Sequence, residues 1–133
     1  MIHVFSAGNS NNSECGYGAG NQWGNITGGH KQGKNVIATA NVFFDGSLVN
    51  SSSHGPAHDG RIKPDIAGRG TNVYSCDDVT ESSYSNSSGT SMSAPGVAGS
   101  LLLLQEHYNN LNSSFMRSAT LKGLVCHTAT DDA

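Results

Sequence analysis

The apolar positions of this chain change their spacing several times, and each spacing predicts a different element. Residues 2–7, "IHVFSA", alternate weakly and predict a short buried strand, stopped by Gly8, Asn9 and a run of Ser and Asn. Residues 35–44, "NVIATANVFF", are β-branched and almost continuously apolar, as a strand covered on both faces would be. Residues 65–67 and 73–74 are short strand candidates around a Gly68-Arg69-Gly70 turn. Residues 10–34 predict a long loop with room for one short turn of helix, and carry Tyr17 and Trp23 as isolated aromatics. Residues 46–59 are a second loop, whose "SSSHGP" is strong turn chemistry.

The spacing turns helical over residues 94–108. Pro95 suits the first turn of that helix, where a missing N–H costs nothing. Val97, Leu101 and Leu104 fall on one face, with Ala98, Leu102 and Gln105 beside it. Apolar coverage that wide predicts burial between layers. "NNLNSS" then breaks the chain, and Asn112 or Ser113 can cap a second helix over residues 114–126. Phe115, Met116, Ala119, Leu124 and Val125 would cover one side of it, although Gly123 weakens it. Strands alternating with helices predict an α/β fold with a mostly parallel sheet.

With 133 residues there is room for one domain and its core. Only 13% of residues are charged, and polarity comes mainly from Ser, Asn, Thr and Gly. The apolar runs and low net charge argue against disorder. A formal net charge of -3 gives no reason to expect nucleic-acid or anionic-membrane binding. No apolar run approaches the length of a membrane span. The start, "MIHVFSAGN", lacks the charged head and long apolar middle of a secretion signal. Cys15, Cys76 and Cys126 allow one disulfide at most and have no metal-type CxxC spacing, so they read best as unpaired small hydrophobes.

Ser91 draws attention because "SGTSMSAPGVAG" is poor in side chains and runs straight into the main helix. A serine hydroxyl attacks only when a base takes its proton and donors stabilise the resulting oxyanion. A helix N-terminus offers such donors. On spacing alone, Ser91 and Ser93 read as ordinary N-capping serines.

The full string changes that reading. "GTSMSAPGVAG" resembles the nucleophile motif of the subtilisin-like serine proteases, in which the serine after GT is the nucleophile, here Ser91. "VFSAGNS" resembles the strand ending in AGN, whose asparagine donates to the oxyanion, here Asn9. "KNVIATANV" resembles the strand that follows, and "SSSHGPAHDGRIKPDIAGRG" the S-S-x-G-P and K-P-D-I-x-A-P-G segments. The four matches keep the family's order and cover most of residues 2–106.

The resemblance implies a partial three-layer fold, a mostly parallel sheet with flanking helices, truncated at both ends. Residues 1–133 would then be a piece of a catalytic domain, from the oxyanion strand through the nucleophile helix. It implies a serine endopeptidase acting on peptides or proteins outside the cytoplasm. Asn9 and the Ser91 N–H would converge on the carbonyl oxygen, with support from a Thr90 hydrogen bond. Ser6, Ala7 and Gly8 would wall the pocket for the substrate residue before the cut, their main chain pairing an extended peptide. The chain itself suggests no cofactor. The family leaves room for calcium, and Asp45, Asp59, Asp77 and Asp78 are available carboxylates, but their spacing specifies no site.

The family's Asp, in D-T/S-G, and His, in H-G-T-H, do not occur here. His3, His30, His54, His58, His107 and His127 all lack the family's context. The G-x-G-x-[LIV]-[ND]-x-x-x-A segment expected after the second helix is also missing, since the chain stops at Asp131-Asp132-Ala133. Gly96 stands where many relatives have a non-catalytic His, and "AGRG" replaces A-P-G. Without a base, Ser91 in this chain alone is expected to be inert. With half the fold absent, the chain is expected to expose sheet edge and apolar helix face, and to dimerise or need the missing N-terminal half. Three readings compete: a protease represented by part of its catalytic domain, a pseudoprotease or peptide-binding relative, and an Asn/Ser-rich adhesion module with an accidental GTSM. Sequons at Asn11, Asn25, Asn50, Asn86 and Asn112 read as incidental in so Asn-rich a chain.

Overall fold

A computed structural model of the chain describes residues 1–11, 13, 26 and 29–130. The elements run β1 (His3–Ser6), a 3-10 turn (His30–Gln32), β2 (Val36–Val42), β3 (Ile66–Arg69), β4 (Val73–Cys76), β5 (Tyr84–Ser87), α1 (Thr90–Asn112) and α2 (Ser118–Thr128). β1, β2 and β3 form a parallel sheet with β2 in the centre, Val4 beside Ile37 and Thr39 beside Ile66. β4 and β5 make a separate antiparallel hairpin.

β2 is buried from Ile37 to Asn41, as its unbroken apolar run predicts. Ile37 packs with Leu101 of α1 and with Met116 and Leu121, and Val4, Ile66, Val97 and Val125 close the cluster. Both helices therefore share one core against one face of the sheet. Phe5 alternates with Val4 and so faces the other way. There it stacks on His30 at 5.5 Å, which places the 3-10 turn over the opposite face.

Three expectations need correction. First, α1 begins at Thr90 rather than at residue 94, so Pro95 is the sixth helical residue and not in the first turn. Its missing N–H leaves the Ser91 carbonyl without the usual donor four residues on. Second, α1 is not buried between layers. Leu101 is 4% exposed, but Leu102 and Leu103 are 72% and 68% exposed, because no described residue packs on that side. Third, α2 starts at Ser118 and not near residue 114. Ser113 takes a left-handed conformation and ends α1, and Asn112 donates back to the Tyr108 carbonyl instead of capping α2. The link is then held extended by Gln105. Its amide donates to the Met116 carbonyl at 3.0 Å and accepts the Met116 N–H at 2.9 Å. Met116 is buried by this clamp, whereas Phe115 stays exposed.

A charged cluster ties α2 to the sheet. Asp65 accepts the Ala38 N–H at 2.7 Å, pairs with Lys122 at 2.7 Å, and pairs with Lys63. Lys122 also donates to the Val36 carbonyl at 2.8 Å. Burial pushes the Asp65 carboxyl up, but the Ala38 N–H and the two ammonium groups outweigh it and hold the group below its ordinary range. Burial pulls Lys63 below the usual lysine range.

The hairpin β4–β5 was only half legible. Val73–Cys76 is longer than the two residues expected, and "YSNS" of β5 has no apolar alternation because it is exposed throughout. Cys76 and Cys126 are unpaired, as expected, and both are exposed. Cys15, Tyr17, Trp23 and Asn25 lie outside the described residues.

Candidate active site

The nucleophile candidate sits where loop becomes helix. Gly89 is the N-cap of α1, so Ser91 is its second residue, and Ser91 is exposed. The first N–H groups of a helix have no intrahelical partner. Here most are claimed. The Thr90 N–H goes to Asn9 Oδ1 at 3.0 Å, and the Met92 and Ser93 N–H groups both turn back to the Gly89 carbonyl at 3.0 and 3.3 Å. The Ser91 N–H has no hydrogen bond among the described residues and remains available.

Asn9 comes from the end of β1, eighty-one residues away in sequence from Thr90. Thr90 holds it twice, because its hydroxyl also donates to Asn9 Oδ1 at 3.0 Å. The same hydroxyl accepts the Gly8 N–H at 3.2 Å. Fixing the carboxamide oxygen in this way fixes the amide nitrogen too. Nδ2 makes no hydrogen bond among the described residues and faces the nucleophile turn, since a methyl carbon added to Gly89 would lie 3.3 Å from it. Two free N–H donors, one from each of two loops, thus flank an exposed serine.

The loop behind Asn9 is tethered by the "SSSHGP" segment. The Ser53 N–H donates to the Gly8 carbonyl at 2.8 Å, Ser53 Oγ accepts the Ser10 N–H at 3.2 Å, and the Ser51 carbonyl accepts the Asn11 N–H at 3.0 Å. Gly8 has φ 116°, which other residues rarely adopt, and a side-chain carbon there would meet Ser53 Oγ at 2.9 Å and Lys31 Nζ at 3.0 Å. Both polar main-chain atoms of Gly8 already have an internal partner, the N–H on Thr90 and the carbonyl on Ser53. Ser6 and Ala7 precede it, and the Ala7 N–H is spent on the Thr39 carbonyl at 3.0 Å.

Below the turn, Ser93 is fully buried, and its hydroxyl lies 2.7 Å from the Ala40 carbonyl and 2.8 Å from that of Gly68. It pins α1 across β2 and β3. Gly70 accepts the Gly89 N–H at 2.8 Å, and a side-chain carbon there would lie 2.4 Å from the Gly89 carbonyl. The strand end written "AGRG" therefore still lets the two backbones touch. Sequence reasoning read Ser93 as a cap. Only its position two residues after Ser91 in the motif hinted at a structural role.

Ser91 Oγ has no hydrogen bond to a histidine or a carboxylate among the described residues, so none of these assembles a base on it. Asp45, Asp59 and Asp77 are engaged by Ser47, Arg61 and Ser83 respectively, and each carboxyl is held below its ordinary range first by that hydrogen bond. No three His, Cys, Asp or Glu side chains converge among the described residues. The carboxylates considered for calcium thus do not assemble into a ligand set.

Known proteins with the same features are numerous. The model of the Subtilase family matches residues 1–133. The C5a peptidase of Streptococcus pyogenes serotype M18 is 53% identical over 61 residues, which is 46% of this chain and 5% of that protein. Among solved structures, the CspB protease of Clostridium perfringens superposes with a TM-score of 0.63 at 29% identity, covering 75% of this chain and 22% of that one. A cold-adapted subtilisin-like serine proteinase gives a TM-score of 0.69 at 22% identity over 96% of this chain and 38% of that one, a likeness of fold. The chain thus spans well under half the length of the proteins it resembles. The whole-length family match and the clamp of Asn9 onto the nucleophile turn agree: this chain belongs to the subtilase family.

Proposed function

We propose that this chain carries the nucleophile and the oxyanion donors of a subtilisin-like serine endopeptidase, and that the remaining triad members are supplied by an upstream part of the same catalytic domain. The single observation that carries the reading is the double anchoring of Asn9 Oδ1 by Thr90, which frees Asn9 Nδ2 beside an unclaimed Ser91 N–H. An exposed serine with two preorganised donors is arranged for attack on a carbonyl.

In this mechanism Ser91 Oγ adds to the carbonyl carbon of a peptide bond while its proton passes to the upstream histidine. The carbonyl oxygen gains the negative charge and takes hydrogen bonds from Asn9 Nδ2 and the Ser91 N–H. Collapse expels the amine, which receives the proton, and leaves an acyl group on Ser91. Water, deprotonated by the same histidine, then releases the acid by the reverse geometry. Ser6, Ala7 and Gly8 flank the substrate residue on the acyl side of the cut. Substrates are peptides or proteins, and by resemblance to its family the enzyme works in the cell envelope or outside the cell. The 133-residue chain alone is inactive, and it associates with itself or with the missing half.

A second reading is a pseudoprotease that holds peptides in the same groove without cutting them; it requires that D-T/S-G or H-G-T-H be absent from the full-length protein as well. The full gene separates the two at once, by the presence or absence of those strings upstream. The functional test is hydrolysis of a peptide mixture by the intact protein. The protease reading expects cleavage that Ser91→Ala abolishes. Peptide binding without cleavage, unaffected by that substitution, supports the second reading instead.

A further inference from the structure

Resting on the peptidase reading above, we infer that Lys31 sets the specificity of this enzyme for an acidic residue, aspartate or glutamate, immediately before the bond that is cut. Gly8 neighbours Asn9, the proposed oxyanion donor, and walls the pocket proposed for that substrate side chain. The Lys31 ammonium reaches this wall, 3.0 Å from where a side-chain carbon of Gly8 would stand. Lys31 is in the 3-10 turn on the sheet face opposite the helices, next to His30, which stacks on Phe5.

Lys31 is half-buried and has neither an ion pair nor a hydrogen bond among the described residues. Asp45, Asp59, Asp65 and Asp77 are all engaged elsewhere. The nearby Arg61, which donates to the Gln32 carbonyl at 2.7 Å, is neutralised by Asp59. Among the described residues, the half-buried Lys31 ammonium thus has no carboxylate partner beside the wall of the candidate substrate pocket. Such a charge is costly until a carboxylate meets it. A substrate whose carbonyl oxygen lies against Asn9 Nδ2 projects its preceding side chain along Gly8, toward that ammonium. An aspartate or glutamate brings the missing partner; a lysine or arginine is repelled.

The test uses the intact protein and a peptide series that differs only in the residue before the cut. Glutamate is expected to exceed glutamine in kcat/KM by about tenfold or more, a ratio that shrinks with added salt. Lys31→Met is expected to lower that ratio by about ten- to a hundredfold, Lys31→Arg to keep it, and Lys31→Glu to shift preference toward lysine and arginine. A ratio near one in the natural protein, or one unmoved by Lys31→Met, overturns the inference and leaves the peptidase reading standing. Binding of peptides ending in glutamate or glutamine to the Ser91→Ala variant separates the two ideas. If nothing is cleaved but the glutamate peptide binds more tightly through Lys31, the pocket assignment holds and the peptidase reading falls. Equal binding of the two peptides overturns the assignment of Lys31.

Discussion

At the scale of single residues, the site depends on how Asn9 is held. An amide that must donate to a transient oxyanion gains nothing from being nearby if it can rotate. Thr90 removes that freedom with two hydrogen bonds to one oxygen. Removing the Asn9 donor should cost about a hundred- to a thousandfold in turnover, a range measured on subtilisin itself. Thr90→Val keeps the backbone donor but loses the hydroxyl, and so should lower kcat by about tenfold with little change in KM. Thr90→Ser should recover most of that loss. A purely structural Thr90 would instead move stability and leave the kcat of folded enzyme alone, which steady-state kinetics on the three proteins distinguishes. That Asn9 meets the turn before Ser91 was legible, because each sits in a string whose backbone geometry leaves little choice of residue. Ser53, Ser93 and Lys31 were not. Their roles depend on partners more than twenty residues away, and a lone serine or lysine looks the same in sequence whether it braces a loop or faces water.

The elements supporting the site are joined by a few polar contacts. Ser93 binds α1 to the sheet through two carbonyls in a fully buried position. Ser93→Ala leaves both carbonyls without that hydroxyl and should destabilise the intact protein by about 1–3 kcal/mol, read as a lower urea midpoint. Asp65 makes a pH-dependent contribution. Its carboxyl in the folded state lies below its value in the unfolded chain. The stability it adds is therefore present above about pH 4, the unfolded carboxylate range, and is lost as pH falls through the lower folded value. Asp65→Asn should remove that acid-side slope. At neutral pH it should cost about 3–5 kcal/mol, because Lys63 and Lys122 lose the carboxylate between them. Urea midpoints across pH 3–7, compared between the two proteins, check both statements. The parallel strands were readable from their apolar runs. The starts of α1 and α2 were not, because Gly89, Gln105 and Ser113 set them through tertiary geometry that no local periodicity records.

At the scale of the molecule, the chain is only part of a subtilase fold in extent, as the shares of its relatives indicate. β1 lies at one edge of the three-stranded sheet, and Leu102 and Leu103 present an apolar ridge along α1. An apolar surface of that kind is buried in a stable assembly. Produced alone, residues 1–133 should therefore elute as concentration-dependent oligomers in light-scattering chromatography. Leu102→Lys with Leu103→Lys should shift them toward monomer, and a monodisperse natural chain would contradict the idea.

In the proposed mechanism Ser91 is a nucleophile only once its base is present. The most direct measurement is labelling with a fluorophosphonate probe, with the modified residue identified by mass spectrometry. The intact protein should be labelled at Ser91 alone, Asn9→Ala should slow the labelling, and residues 1–133 by themselves should remain unlabelled. An intact protein that carries the upstream Asp and His strings and yet takes no label at Ser91, or takes it at another serine, would contradict the account.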